Sequence, residues 1–254
     1  MTTADAAICT LDLRPLGADG TCGDFAGEVT LRAGRYGLFV GDVAGRGPAV
    51  GASAASLEAH LRAALTAGRP VRSIVRELDE VFTHTLQSEA TPFATLFLAV
   101  IDAPARRCVY VSAGHEPALL LRPDRHEHLA PTAALLGVGM PMTGEPVSVA
   151  FDETSTLIVV TDGITEARRT VGEGLAYFGT AGVAHAAHHA LAAGDDPVAA
   201  IHAAAQRHGG TTPRDDATVL AAHGNMMTKR PRHRCRRRFA DLAVFARGED
   251  YIMS

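Results

Sequence analysis

Apolar positions along this 254-residue chain follow two rhythms. Short runs rich in Val, Ile, Leu, Phe and Tyr, bounded by Gly, Pro or Asp, read as strands at 7–13, 36–42, 93–101, 108–113, 118–122, 157–161 and 216–222. Longer Ala- and Leu-rich stretches read as helices at 49–67, 71–88, 181–193 and 197–208. In the second of these, Ile74, Val75, Leu78, Val81, Phe82 and Leu86 recur at helical spacing and make one apolar face. Asp102 and Pro104 are turn formers, so the chain around 103–106 reads as a hairpin between two of the strands.

The order is strands, two helices, a run of strands, two more helices and a last strand. Clustered strands with helices in pairs do not alternate as βαβ units. They predict an α+β domain of layered, largely antiparallel sheets. The globular part is expected to span residues 1–224. Residues 225–254, with the run KRPRHRCRRR, hold too much charge to bury and are expected to form a basic, disordered tail.

Composition narrows the class. The chain is 47% hydrophobic and 20% charged, as a soluble globular protein is. No run approaches the ~20 apolar residues of a membrane span, and no basic flank precedes an apolar stretch at the start. The expected location is the cytoplasm. Cys9, Cys22, Cys108 and Cys235 show no zinc-ligand spacing and read as incidental thiols. The net charge of −4 includes eight Lys/Arg against three Asp/Glu between Thr228 and Ser254, so the preceding body is strongly acidic. That excludes nucleic acid as the expected partner of the body.

The acidic residues carry the chemistry. Four segments place Asp beside Gly or another turn residue at a strand edge: Cys22-Gly23-Asp24-Phe25, Gly41-Asp42-Val43, Thr161-Asp162-Gly163 and Asp215-Asp216-Ala217. Oxygen donors without a histidine cluster suit Mg²⁺ or Mn²⁺ better than Zn²⁺. Without a cation, gathered carboxylates would repel one another. His185, His188 and His189 have H-x-x-H spacing but lack the Glu of H-E-x-x-H, and read as a polar helix face. His115 reads as a turn histidine.

These segments, with ATLFLAVID, YVSAGHEPALL, VVTDGITEAR and RDDATVL following in order, resemble the bacterial PPM-type serine/threonine phosphatases of the sporulation-protein IIE (SpoIIE) subgroup. Those enzymes dephosphorylate anti-anti-sigma factors. The resemblance runs from about Ala7 to Ala222 and implies a sandwich of two antiparallel sheets flanked by helix pairs. It implies two Mn²⁺ or Mg²⁺ ions. Asp42 would bridge them, the Val43 carbonyl would add a ligand, Asp162 and Asp215 would hold one ion, and Asp24 would support the other directly or through water. Asp216 is the rival of Asp215. The ions would activate a shared water for in-line attack on phosphorus. Asp42 and Asp162 are thus the expected catalytic residues, and the expected partner is a phosphorylated STAS-type protein.

Several positions depart from that pattern: Cys22 stands for the usual Gly and Ala26-Gly27 for more typical aromatic or acidic residues, and two lie in the second segment. Arg46 stands where the subgroup has His, and Ala44 where it has Ser. A guanidinium cannot serve as a general acid near neutral pH, but it can bind the substrate phosphate in bidentate fashion. The alternative these departures raise is a catalytically weak pseudophosphatase that binds phosphoproteins as a regulatory module. The first strand starts within about ten residues, so no N-terminal sensor domain in cis is expected.

Overall fold

The structure is a computed structural model and describes residues 9–16, 21–140, 144–172, 174–210 and 214–224. The basic segment 225–254 lies outside the described residues, as does the start of the first expected strand. In chain order the elements begin with β1 (Cys9–Arg14), β2 (Asp24–Thr30), β3 (Arg35–Val43), α1 (Pro48–Thr66) and α2 (Val71–Val81). Next come β4 (Ala94–Asp102), β5 (Arg107–Ala113), β6 (Ala118–Arg122), β7 (Arg125–Leu129), β8 (Val147–Ala150) and β9 (Thr156–Val160). The short α3 (Asp162–Thr165), β10 (Arg168–Val171), β11 (Gly174–Tyr177), α4 (Gly179–Ala193), α5 (Pro197–Gly209) and β12 (Ala217–His223) follow, the last of the described elements.

Two five-stranded sheets form, ordered β1-β12-β9-β6-β7 and β2-β3-β4-β5-β8, with every pairing antiparallel. β10 and β11 make a separate ribbon. The expected α+β class of two antiparallel sheets flanked by helix pairs is what the structure has.

Strand alternation explains the layering. In β3, Leu38 and Val40 enter the core between the sheets, while Phe39 and Val43 face the outer core with α1 and α2. In β9, Leu157 and Val159 face the inter-sheet core, and Ile158 and Val160 meet α4 and α5. Both faces of these strands are covered, which is why YGLFV and TLIVV read as continuous apolar runs rather than alternating ones.

Local chemistry sets the element ends. Pro48 opens α1 after Gly47, and Pro197 opens α5 after Asp196, whose carboxylate accepts from the Val198 N–H. Gly194 closes α4 in the left-handed conformation. The 103–106 hairpin forms as expected, and Asp102 accepts from the Ala105 N–H at 3.1 Å. The expected helix at 71–88 differs. The α-helix stops at Val81, and Phe82–Leu86 winds as a π-turn. The wider turn seats Phe82 fully in the core, while the Gln87 amide donates to the Gly137 carbonyl at 2.6 Å.

Phe97 is fully buried between the sheets, with its ring stacked on Tyr110 at 5.5 Å. Phe97→Ala is expected to cost about 3–5 kcal/mol through lost burial and the cavity left behind. The urea unfolding midpoint measures it, and a loss below about 1 kcal/mol would contradict the packing described.

Candidate functional site

The β2–β3 register sets Asp24 directly opposite Asp42. Asp24 is buried, and its Oδ2 accepts from two hydroxyls: Thr161 Oγ1 at 2.8 Å and Thr218 Oγ1 at 2.6 Å. Thr161 Oγ1 also accepts from the Thr218 N–H at 2.9 Å. Asp24 belongs to one sheet, whereas Thr161 and Thr218 stand at the ends of β9 and β12 in the other. This clasp therefore fixes the residues that follow Thr161 and precede Thr218, namely Asp162 and Asp215.

Asp162 opens α3, and its carbonyl accepts from Glu166 N–H at 2.7 Å. A Cβ on Gly163 would lie 1.9 Å from the Asp216 carbonyl, so only glycine lets α3 press against the 215–216 turn. The two adjacent acids do different things. Asp216 accepts from Leu16 N–H through Oδ1 at 2.6 Å and from Gly23 N–H through Oδ2 at 2.7 Å, and so ties two distant loops together. Asp215 is exposed, accepts from its neighbour's N–H, and lines a cleft with Asp162.

The cleft has a volume of about 290 Å³. Asp162, Glu166 and Asp215 line it, together with Arg14, Arg46, Arg168 and Arg214. Arg14 is held by Asp12 and Arg168 by Glu166. Arg46 and Arg214 are exposed and make no ion pair among the described residues.

Charge is uncompensated around three of the acids. Burial, then Asp162, Asp215 and Asp216, raise Asp42 from 3.8 to about 7. Burial, then Asp215, Glu166 and Glu116, raise Asp162 to about 6, partly opposed by the Gly163 N–H. Asp24 is pushed well up by burial and by Asp42, against the pull of the two threonine hydroxyls. No cationic side chain figures among the influences on these three. Carboxylates without a countercharge fit a hard divalent cation. Among the described residues, no three His, Cys, Asp or Glu side chains close around one point tightly enough to hold an ion unaided. A hard divalent ion that keeps part of its water shell fits so open a donor set. Gly23 keeps the space beside these oxygens open, since a Cβ there would sit 2.8 Å from the Val43 carbonyl and 3.0 Å from Asp42 Oδ1.

Other candidates stand apart. His115 is buried and neutral, driven by burial down to about 4, with Nδ1 on Thr95 Oγ1 at 2.8 Å. His188 of α4 lies against His126 of β7, away from the acids. Burial and the nearby Asp24 and Asp216 push the Cys22 thiol far above its usual range, which disfavours the thiolate. Thr161, Thr218 and Glu166 received no role from the sequence, although all three lie within the motifs TDG-x-x-E and DD-x-T.

The family model for Stage II sporulation protein E (SpoIIE) matches residues 32–225. The chain belongs to the SpoIIE family. Phosphoserine phosphatase RsbP of Bacillus subtilis is 29% identical over 147 residues, covering 57% of this SpoIIE-family chain and 36% of RsbP. Among solved structures, the RsbU and RsbW domains of a Mycobacterium tuberculosis protein superpose with a TM-score of 0.71 at 25% identity, covering 85% of this chain and 59% of that one. The SiaA-PP2C domain of Pseudomonas aeruginosa gives 0.71 at 21% identity, with 85% of each chain covered. The SpoIIE-family chain thus shares the PP2C phosphatase fold, and it spans about a third of the length of RsbP.

Two predictions follow from this geometry. Thr218→Val removes one hydroxyl from the buried Asp24 and should cost about 1–3 kcal/mol by chemical denaturation; an unchanged midpoint would refute the clasp. Asp42 and Asp162 have folded-state values above the unfolded one, so their contribution to stability is complete below about pH 4 and is lost as pH rises through about 6 and 7. The metal-free melting temperature should fall between about pH 5 and pH 8, and Mg²⁺ or Mn²⁺ should raise it more at the higher pH. An equal rise at both would contradict the assignment.

Proposed function

We propose that this chain hydrolyses phosphoserine or phosphothreonine on a protein, with Mg²⁺ or Mn²⁺ held at Asp42, the Val43 carbonyl, Asp162 and Asp215. The observation that carries this reading is the set of uncompensated carboxylates beside an arginine-lined cleft, in a chain of the SpoIIE family. Asp215 is the ligand of choice over Asp216, because both oxygens of Asp216 already accept backbone N–H groups. Asp24 supports the site from behind. The bound pair of ions would supply Lewis acidity, activating a water and neutralising charge on the phosphoryl group.

The chain's own residues orient the substrate. Arg46, exposed on the loop between β3 and α1, grips phosphoryl oxygens as a fixed, always-charged fork. Because Arg46 cannot give up a proton near pH 7, the leaving serine alkoxide takes its proton from water. The substrate is a phosphorylated STAS-type protein of a partner-switching circuit, a reading supported by the similarity to RsbP and to the RsbU domain structure. The site of action is the cytoplasm, in line with the absence, among the described residues, of any helix long and apolar enough to cross a membrane.

Phosphate release from p-nitrophenyl phosphate and from a serine-phosphorylated STAS-domain protein tests the reading. Activity is expected only with Mn²⁺ or Mg²⁺, and Asp42→Ala or Asp162→Ala should lower it at least about 100-fold. Activity that survives either change would sink the proposal. The Arg46 and Ala44 departures favour the second reading, a phosphoprotein-binding pseudophosphatase; tight binding with no turnover at saturating Mn²⁺ is its signature.

A further inference from the structure

The β10–β11 ribbon stands outside both five-stranded sheets. Two strands alone are marginal in water, and this pair is tied to the body at its base and along α5. Phe178 N–H donates to the Ala167 carbonyl at 2.7 Å, and His208 of α5 meets the Ala176 carbonyl at 2.9 Å. The rest projects from the body. Its side chains include Val171 at 56%, Leu175 at 55% and Tyr177 at 52% exposure, three of the four most exposed large apolar residues described. Single exposed apolar residues are ordinary, but a concentration on one short ribbon marks an interaction surface.

Register shows which face matters. Arg168 pairs with Tyr177, and Thr170 with Leu175, so these four side chains share one face. Val171 lies on the other. Arg168 also lines the cleft, and its guanidinium lies 5.9 Å from the centre of the Tyr177 ring. The Leu175–Tyr177 face is therefore continuous with the arginine-lined cleft. Beyond Arg168, the unpaired Arg46 and Arg214 call for an anionic partner. A small phosphate ester can occupy the cleft without touching Leu175, but a folded protein cannot present a phosphoserine there without covering the ribbon.

We propose that the Leu175–Tyr177 face of the β10–β11 ribbon is the docking ridge for the phosphoprotein substrate, and that Arg214, with Arg46, receives its anionic groups at the cleft. The partner is a folded phosphoprotein with an apolar patch beside its phosphorylated residue. This rests on the phosphatase reading above. Tyr and Arg are enriched at the centres of such contacts, inside a polar rim, and complementary charge steers the partner.

Steady-state kinetics with Mn²⁺ on two substrates tests it, using p-nitrophenyl phosphate and a serine-phosphorylated STAS-domain protein. Leu175→Asp is expected to raise KM for the phosphoprotein about tenfold or more, while kcat/KM for the aryl phosphate stays within about twofold. Val171→Asp, on the opposite face, should change the phosphoprotein KM less than about threefold. An unchanged phosphoprotein KM in Leu175→Asp, or equal losses on both substrates, overturns the ridge. Leu175→Ala serves as the second variant if the aspartate lowers the melting temperature. A wild type that turns over the aryl phosphate but neither binds nor hydrolyses the phosphoprotein overturns the partner. A wild type that hydrolyses neither substrate defeats the phosphatase reading instead. Calorimetric titration of the phosphoprotein then still decides the ridge, which falls if Leu175→Asp binds as wild type does.

Discussion

The buried carboxylate of Asp24 is the point at which the two sheets are clasped. One oxygen takes hydroxyls from Thr161 and Thr218, and Thr218 is tied in turn to Thr161. Sandwich cores are nondirectional and could slide by a fraction of a residue; hydrogen bonds between buried groups could not. An unmet carboxylate at this depth would cost several kcal/mol, so the strand ends of both sheets are held in one relation. Asp162 and Asp215 are each one or a few residues from the clasp, and inherit its precision.

What the clasp brings together is unfavourable by itself. Asp42 and Asp162 are raised chiefly by burial and then by other acids, and arginines reach the cleft without cancelling that charge. Core packing supplies the free energy that holds these groups close. A site built this way is poised for a cation because the strain of its approach is relieved when charge arrives. The same reasoning separates the two neighbours at 215 and 216. Asp216 is satisfied by two backbone N–H groups, whereas Asp215 is left facing the cleft.

Much of this was legible in the sequence, for physical reasons that differ by element. β3, β4, β5, β6, β9 and β12 are apolar because they are covered on one or both faces, and the long helices carry their own periodicity. β2 was missed because DFAGEVT begins in a turn motif and holds a glycine. β7, RHEHL, is almost wholly exposed, β8 is four residues long, and β10–β11 joins neither sheet and buries almost none of its side chains. In the site, Asp42 and Asp162 could be read because each closes a buried strand. The division of labour between Asp215 and Asp216 could not, since it depends on Leu16 and Gly23, some 200 residues away in sequence. Thr161 and Thr218 look like ordinary strand-end threonines until the sheets are stacked.

Arg46 is a cation held beside the acidic cluster without pairing to it among the described residues. It sits between Gly45, at φ +123°, and Gly47, at φ +94°, and Pro48 then starts α1. A Cβ at Gly45 would lie 2.0 Å from the Ala90 carbonyl, so the loop takes this path only with glycine there. The path leaves the Arg46 side chain exposed at the cleft, where no carboxylate pairs with it among the described residues. Had the loop let the guanidinium fold onto Asp162 or Asp215, it would have competed with a divalent ion for the same oxygens. On the proposed reading, keeping Arg46 apart from the acids leaves both free for a single dianionic phosphoryl group, the kind of ligand that would satisfy a cation site and a guanidinium together.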